Sequence, residues 1–342
     1  MRSRKTTSYR FRAAVSLTVV VLLFGGILSL AGCSDEVYDP TQGSLSLEEG
    51  TGSSNGQLEL PTEVPTGSTI EIPSVDPFEN SPHVLRADFL NTGNSDAILI
   101  RMDGTVILMD TGETDDYAKI SGKLDEFGIT GIDYLIISHF DNDHIGTISQ
   151  VLQNYTVKTV YMPDYVRNSS LYRRMMSTLE VMPGTAVHRV TEDVRIELSY
   201  GSLWINSTEL YEAGLTLGSD NAHAAEENNY SLITSVYFGN KSLLLAGDAE
   251  QDRLVEFMGV LGSTCTYDVI KIPHHGGYDK AVADLLRMNQ GLRYCVVHAG
   301  SESLVEASLV TAMRASGAAA KFTYDGGVAF ATDGVSMVVE QE

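Results

Sequence analysis

From residue 84 onward, apolar positions fall into short runs separated by turn residues. Residues 84–90, 96–101 and 105–109 read as strands, and the turns between them (91–95, then Asp103-Gly104) predict an antiparallel meander. The period then changes. Tyr117, Ile120, Leu124 and Phe127 recur at helical spacing and predict a helix over 115–127. A buried strand at 134–138 and a helix at 145–152 follow. Three more strand–helix pairs are expected: 242–246 into 251–260, 269–272 into 281–288, and 294–298 into 304–315. Strands near 321–324, 328–332 and 335–339 close the chain. A meander joined to strand–helix units predicts an α/β fold with mixed sheets.

The first 82 residues follow neither period. Residues 1–32 carry five basic groups and no acid, and residues 13–30 are apolar apart from small or hydroxylic residues. This is the layout of an export signal. Leu30-Ala31-Gly32-Cys33 resembles a bacterial lipobox. That resemblance implies a lipoprotein signal peptide (1–32), cleavage before Cys33, and lipidation of Cys33. An uncleaved membrane anchor is the alternative. Either places the rest of the chain outside the cytoplasm, anchored to a bacterial cell membrane. Residues 33–82 hold six of the nine prolines, ten acids and no base. Such an acidic Pro/Gly/Ser-rich linker cannot build a core and acts as a spacer. The folded domain is expected over 83–342.

Charge narrows the chemistry. The 342-residue chain has a net charge of −22, and residues 83–342 hold 18 bases against 35 acids. An acidic body repels polyanions, so stable nucleic-acid binding is not expected, and phosphate chemistry must rely on local cations such as bound metals. No obligate protein partner is evident. Three cysteines exclude a disulfide-built scaffold; Cys265 and Cys295 read as buried thiols.

The densest chemistry is Ser138-His139-Phe140-Asp141-Asn142-Asp143-His144, between a buried strand and a helix. Two His and two Asp within six residues are costly to hold together unless a cation neutralises the carboxylates. An ordinary helix cap needs only one such residue.

His139-x-Asp141-x-Asp143-His144 resembles the metal-binding motif of the metallo-β-lactamase superfamily. Asp141 stands where the common form has His, as in the extracellular domain of ComEC-type competence proteins and in phosphorylcholine esterase. The resemblance continues, in order, at residues 89–100, Leu108-Met109-Asp110-Thr111-Gly112, Asn228-Asn229-Tyr230-Ser231-Leu232, Leu244-Leu245-Ala246-Gly247-Asp248 and Ile270-Lys271-Ile272-Pro273-His274-His275-Gly276. It implies a metallo-β-lactamase-like αββα four-layer sandwich with mixed sheets. It also implies two divalent metal ions, Zn or Mn. His139 and Asp141 would hold one, Asp143 and His144 the other, and Asp248 would bridge them. One of His274 and His275 would complete the second site, and the other would face the substrate; the sequence leaves their order open. Asp143, Asp248 and His274 are the candidate catalytic residues, and Asp96, Asp110 and Asn229 candidate supports for the ligands. His223 and His298 are further candidates. Residues 302–307 lack the histidine that ComEC-type domains often carry there, which leaves a substrate-side proton donor either absent or supplied by His298. His83 and His188 read as surface residues and Trp204 as core.

Two close divalent cations can share and activate a hydroxide and clamp a leaving oxygen. Aspartate in place of histidine makes the first site harder, which brings manganese into play beside zinc. The leading expectation is a membrane-tethered hydrolase of a phosphodiester, small or polymeric: DNA, a nucleotide or a teichoic-acid-like chain. The alternatives are a metallohydrolase of a non-phosphate ester, amide or lactone, and a non-catalytic lipoprotein stabilised by metal.

Overall fold

The structure, a computed structural model, describes residues 77–210, 215–217 and 224–342. The signal segment, Cys33, the linker up to residue 76, and His223 lie outside the described residues. Packing begins slightly before the expected boundary at 83, since Phe78 is already buried.

The chain first forms β1 (Leu85–Phe89), β2 (Ile98–Met102), β3 (Thr105–Met109), α1 (Tyr117–Glu126) and β4 (Gly131–Ile136). Next come α2 (Asn142–Ile145), α3 (Ile148–Asn154), β5 (Thr156–Pro163), β6 (Tyr165–Arg167), α4 (Ser170–Glu180) and β7 (Ala186–Val190). These are followed by β8 (Val194–Glu197), β9 (Gly201–Asn206), β10 (Leu215–Leu217), α5 (Ala224–Glu227), β11 (Ile233–Phe238) and β12 (Lys241–Leu245). The chain ends with α6 (Gln251–Leu261), β13 (Val269–Lys271), α7 (Lys280–Met288), β14 (Tyr294–Val297), α8 (Ala307–Ser316), β15 (Ala319–Phe322), β16 (Val328–Thr332) and β17 (Met337–Gln341).

Two large mixed sheets result, in the orders β17-β16-β1-β2-β3-β4-β5-β7 and β15-β14-β13-β12-β11-β9-β8. Each has the same plan. An antiparallel part (β17 to β3; β8 to β12) passes into a parallel part (β3 to β7; β12 to β15). A small parallel pair, β6 with β10, stands apart.

Alternation along the strands generates three cores. In β3, Ile107 and Met109 join a central core with Leu203, Val236, Leu243 and Leu245 from the other sheet, while Leu108 faces the opposite way. Leu108 packs with Ile120 and Leu124 of α1 and Val151 of α3. In β12, Leu244 turns from Leu243 and Leu245 toward Phe257 of α6, Leu285 of α7 and Leu309 of α8. Period-two strands with both faces apolar must be covered on both sides. Helix, sheet, sheet, helix is therefore the observed layering, as expected. Trp204 is core, and Cys265 and Cys295 are buried free thiols.

Two expected helices are corrected. The helix over 145–152 breaks into α2 and α3 at Thr147 (φ −105°, ψ 5°), because the amides of Gly146 and Thr147 donate to the carbonyls of Gly112 and Thr111 at 2.8 and 3.3 Å; Gly146 lies so close to that segment that a Cβ would sit 2.4 Å from the Glu113 carbonyl carbon. The Thr147 hydroxyl also donates to the Thr111 carbonyl at 2.7 Å. The helix over 304–315 starts later, at Ala307, after one tight turn at Glu302–Leu304. Among the described residues, no helix is long and apolar enough to cross a membrane.

Candidate metal centre

The chemistry-bearing residues follow the carboxyl ends of parallel strands from both sheets. Asp110 comes directly after β3, His139 to His144 after β4, Asp248 after β12, His275 after β13, and His298 directly after β14. Side chains at such strand ends project into the crevice above the sheet edge. The backbone there is strained. Asp110, His274 and His275 have φ of 56°, 52° and 51°, a region that costs energy for residues with a Cβ and persists where the surroundings over-determine it. Gly247, φ 53°, brings the Asp248 turn so close that a Cβ would lie 2.7 Å from that of Ser138.

Asp143, His144, Asp248 and His275 each offer one donor atom, and the four lie within 4.8 Å of one another. Asp248 Oδ2 is 3.3 Å from His144 Nε2 and 3.2 Å from His275 Nε2. Asp143 Oδ2 is 3.1 Å from His275 Nε2. His139 stands alongside, its ring 4.1 Å from that of His144 and its Nε2 3.7 Å from Asp141 Oδ2. The Nε2 atoms of His139, His144 and His275 are buried and make no hydrogen bond. Buried polar atoms left without partners call for an explanation, and lone pairs converging with carboxylates fit a divalent cation.

The supports are equally specific. Asp110 accepts from the Ser138 amide at 2.8 Å and from its hydroxyl at 2.6 Å, and its Oδ2 lies 2.8 Å from His144 Nδ1. It thus fixes both the 138–144 loop and the ring of His144, leaving Nε2 to face the cluster. Asp96 lies on the other side of the cluster: it sits 3.1 Å from His298 Nδ1 and 3.6 Å from His275 Nδ1, and it pairs with the ammonium of Lys271. Lys271 is fully buried, donates to the Gly247 carbonyl at 2.8 Å and lies 3.5 Å from Asp248 Oδ1. Asn229 is one step removed, its side-chain oxygen accepting from the Arg253 amide in the first turn of α6.

The adjacent histidines separate. His275 joins the cluster. His274 does not, and its expected place among the metal ligands is corrected: it is 46% exposed and its Nδ1 pairs with Glu250 at 3.1 Å. It borders a cavity of about 320 Å³ that Glu250 and Tyr278 also line. The two left-handed residues in succession turn the rings apart. His298 is fully buried against Asp96, so it is corrected as a replacement proton donor to substrate. His83 stacks on Tyr200 and His188 on Tyr161, away from the cluster.

A sequence profile of the Metallo-beta-lactamase superfamily matches residues 90–296. The chain belongs to the metallo-beta-lactamase superfamily. The match ends at the last residue but one of β14 and so takes in His139, Asp141, Asp143, His144, Asp248 and His275 but not His298. Within the superfamily the chain is similar to ComE operon protein 3 of Bacillus subtilis, 24% identical over 236 residues, covering 63% of this chain and 28% of that protein. It is also similar to Recombination protein 2 of Haemophilus influenzae, 28% identical over 199 residues, covering 56% of this chain and 21% of that protein. The chain thus matches about a quarter of the length of these curated relatives. Among solved structures, the metallo-beta-lactamase fold protein YhfI of Bacillus subtilis aligns with a TM-score of 0.46 and 13% identity over 70% of this chain and 96% of that one.

Electrostatics of the metal-free superfamily site give a prediction. Burial opposes protonation of His275, but Asp248, Asp143 and Asp96 outweigh it and raise its pKa to about 9. Burial likewise opposes the charge on His144, and Asp248 and Asp110 raise it well above the ordinary histidine value. Burial pushes the Asp248 pKa up, but His275, His144 and Lys271 together bring it well below the usual carboxylate range. Histidines raised in the folded state stabilise fully below the unfolded value near 6.5, and this stability is lost as pH rises through the folded value. The metal-free chain should therefore melt at progressively lower temperature from about pH 6.5 to pH 9. Metal binding requires neutral imidazole and should release protons over the same range. Melting curves with chelator, and calorimetry in buffers of different ionisation enthalpy, check both; a flat melting profile would count against protonated cluster histidines.

Proposed function

We propose that the chain is a metal-dependent phosphodiester hydrolase tethered to the outer face of a cell membrane. The observation that carries the reading is Asp248 set between His144 and His275 at 3.3 and 3.2 Å, with Asp143 closing the group. His139 and Asp141 are the donors for a second ion, and zinc and manganese are both compatible with mixed imidazole and carboxylate. Bound divalent cations would polarise the phosphoryl oxygens and supply a water nucleophile at neutral pH.

The chain's own residues do the rest. Asp110 orients the ring of His144, and Asp96 sets a negative charge beside His275 and Lys271. His274, partly exposed beside the cavity, has its pKa raised by the hydrogen bond to Glu250. In its protonated form the imidazole can deliver a proton to the leaving oxygen, the task of a general acid. His274→Ala should then slow diesters with poor alkoxide leaving groups by about 10²-fold or more. Release of p-nitrophenolate, which needs no proton, should change far less. Equal losses on both substrates would remove His274 from that role.

The net charge of −17 over residues 83–342 favours a small diester over a long polyanion. The tether rests on the lipobox-like Leu30-Ala31-Gly32-Cys33, and Cys33→Ser should abolish lipid labelling. The deciding assay is bis-p-nitrophenyl phosphate hydrolysis by the metal-loaded chain. Bound metal without phosphodiester cleavage would shift the reading to a carboxylic ester, amide or lactone.

A further inference from the structure

Asp141 is claimed from two sides. Its Oδ2 lies 3.7 Å from His139 Nε2, while its Oδ1 is 3.2 Å from Arg167 Nη2. Arg167 lies on β6 and its side chain is only 13% exposed. Its other terminal nitrogen donates to Glu227, which is fully buried. Glu227 in turn accepts from the Tyr165 hydroxyl at 2.7 Å, and that hydroxyl accepts from the Phe140 amide at 3.0 Å. The circuit Phe140–Tyr165–Glu227–Arg167–Asp141 begins and ends on adjacent residues of the 139–144 loop. Arg167 is therefore fixed in place by buried hydrogen bonds, unlike a surface arginine free to swing away.

The two halves of the cluster are correspondingly unequal. Asp143, His144, Asp248 and His275 already converge within 4.8 Å, whereas His139 and Asp141 are not part of that group. We propose that Arg167 is a positioning residue that sets the affinity of the His139–Asp141 half for its metal ion. By holding Oδ1 it leaves Oδ2 as the one free oxygen. Its guanidinium also places a positive charge beside the incoming cation. Glu227 lies on the far side of Arg167 and offsets this charge only partly. This half therefore fills second and more weakly. The inference rests on the metallohydrolase reading above and gives that reading an internal control: the looser ion is the one the cell's metal supply can withdraw.

Two effects compete when the guanidinium is removed. A freed Asp141 has more rotamer entropy to lose on binding. Repulsion between a single and a double charge is also relieved, and in a partly buried site that is the larger effect. The expected sign is tighter binding.

The test uses the full-length chain, stripped with chelator and titrated with manganese. Calorimetry reads each step, and electron paramagnetic resonance counts the bound ions. The native chain should show two steps, the second weaker. Arg167→Gln, neutral but still able to donate to Glu227, should tighten the second step by about tenfold or more and leave the first nearly unchanged. Arg167→Lys retains the charge and should stay near native. Should Arg167→Gln fold poorly, Arg167→Met combined with Glu227→Gln removes both buried charges and carries the same expectation. A second step that is unchanged or weaker in the neutral variants overturns the role of Arg167 while leaving the metal site standing. A native chain that takes up no manganese or zinc overturns both.

Discussion

Asp248→Ala is expected to reduce bis-p-nitrophenyl phosphate hydrolysis to background and to lower the metal content of the purified chain. The reason is its position. Asp248 is the carboxylate shared by His144, His275 and Lys271, and it is nearly fully buried. Without it, two imidazoles raised toward protonation and one ammonium face each other with one fewer counter-charge. Removing one partner of a buried ion pair costs about 3–5 kcal/mol. Lost activity could then reflect unfolding, so Asp248→Asn is the companion variant: it keeps the shape, lacks the charge, and turns one acceptor oxygen into an amide donor. Elemental analysis and melting curves of both separate the cases. A folded Asp248→Asn that retains two metals per chain and full hydrolysis would falsify the central role given to this carboxylate.

Lys271→Met should produce a large change in the stability of the metal-free chain. Lys271 is a fully buried ammonium, and burial works to lower its pKa. Asp96 and Asp248 outweigh that and keep it charged. Methionine matches its length and removes the charge, leaving both carboxylates without their fixed cation. The expected loss is about 3–5 kcal/mol, roughly 6–20 °C in melting temperature for a domain of this size. Divalent ions at the neighbouring donors would partly restore the balance. The gap between melting temperatures with and without chelator should therefore widen in the variant. If the metal-free melting temperature is unchanged, the ammonium is not what holds Asp96 and Asp248 together.

These two residues illustrate what could be read in the sequence. Asp248 was visible through the resemblance carried by Leu244-Leu245-Ala246-Gly247-Asp248, and Asp110 through that of Leu108-Met109-Asp110-Thr111-Gly112. The strand and helix periods gave an α/β fold with mixed sheets, and the family resemblance gave its four layers. The helical run from Ile145 was misread because its interruption comes from contact with residues 112–114, which lie far away in sequence. The order of His274 and His275 depends on two consecutive left-handed residues, and no local preference of histidine signals that. Lys271 sat in a recognised motif without a role, because its partners Asp96 and Asp248 meet it only in the folded sheet. Arg167 had no signal at all: it lies on a three-residue strand, 26 positions after Asp141, and touches it only across the loop.

The donors are also divided by sheet. His139 to His144 follow a strand of the first, while Asp248 and His275 follow strands of the second, more than a hundred residues later. An ion held by both sets would act as a removable cross-link between the sheets, stabilising the folded chain by binding it and not the unfolded one. The four-donor group can form only once the two sheets have docked, so metal should enter late in folding. Its withdrawal should show first as faster unfolding and only weakly as slower folding.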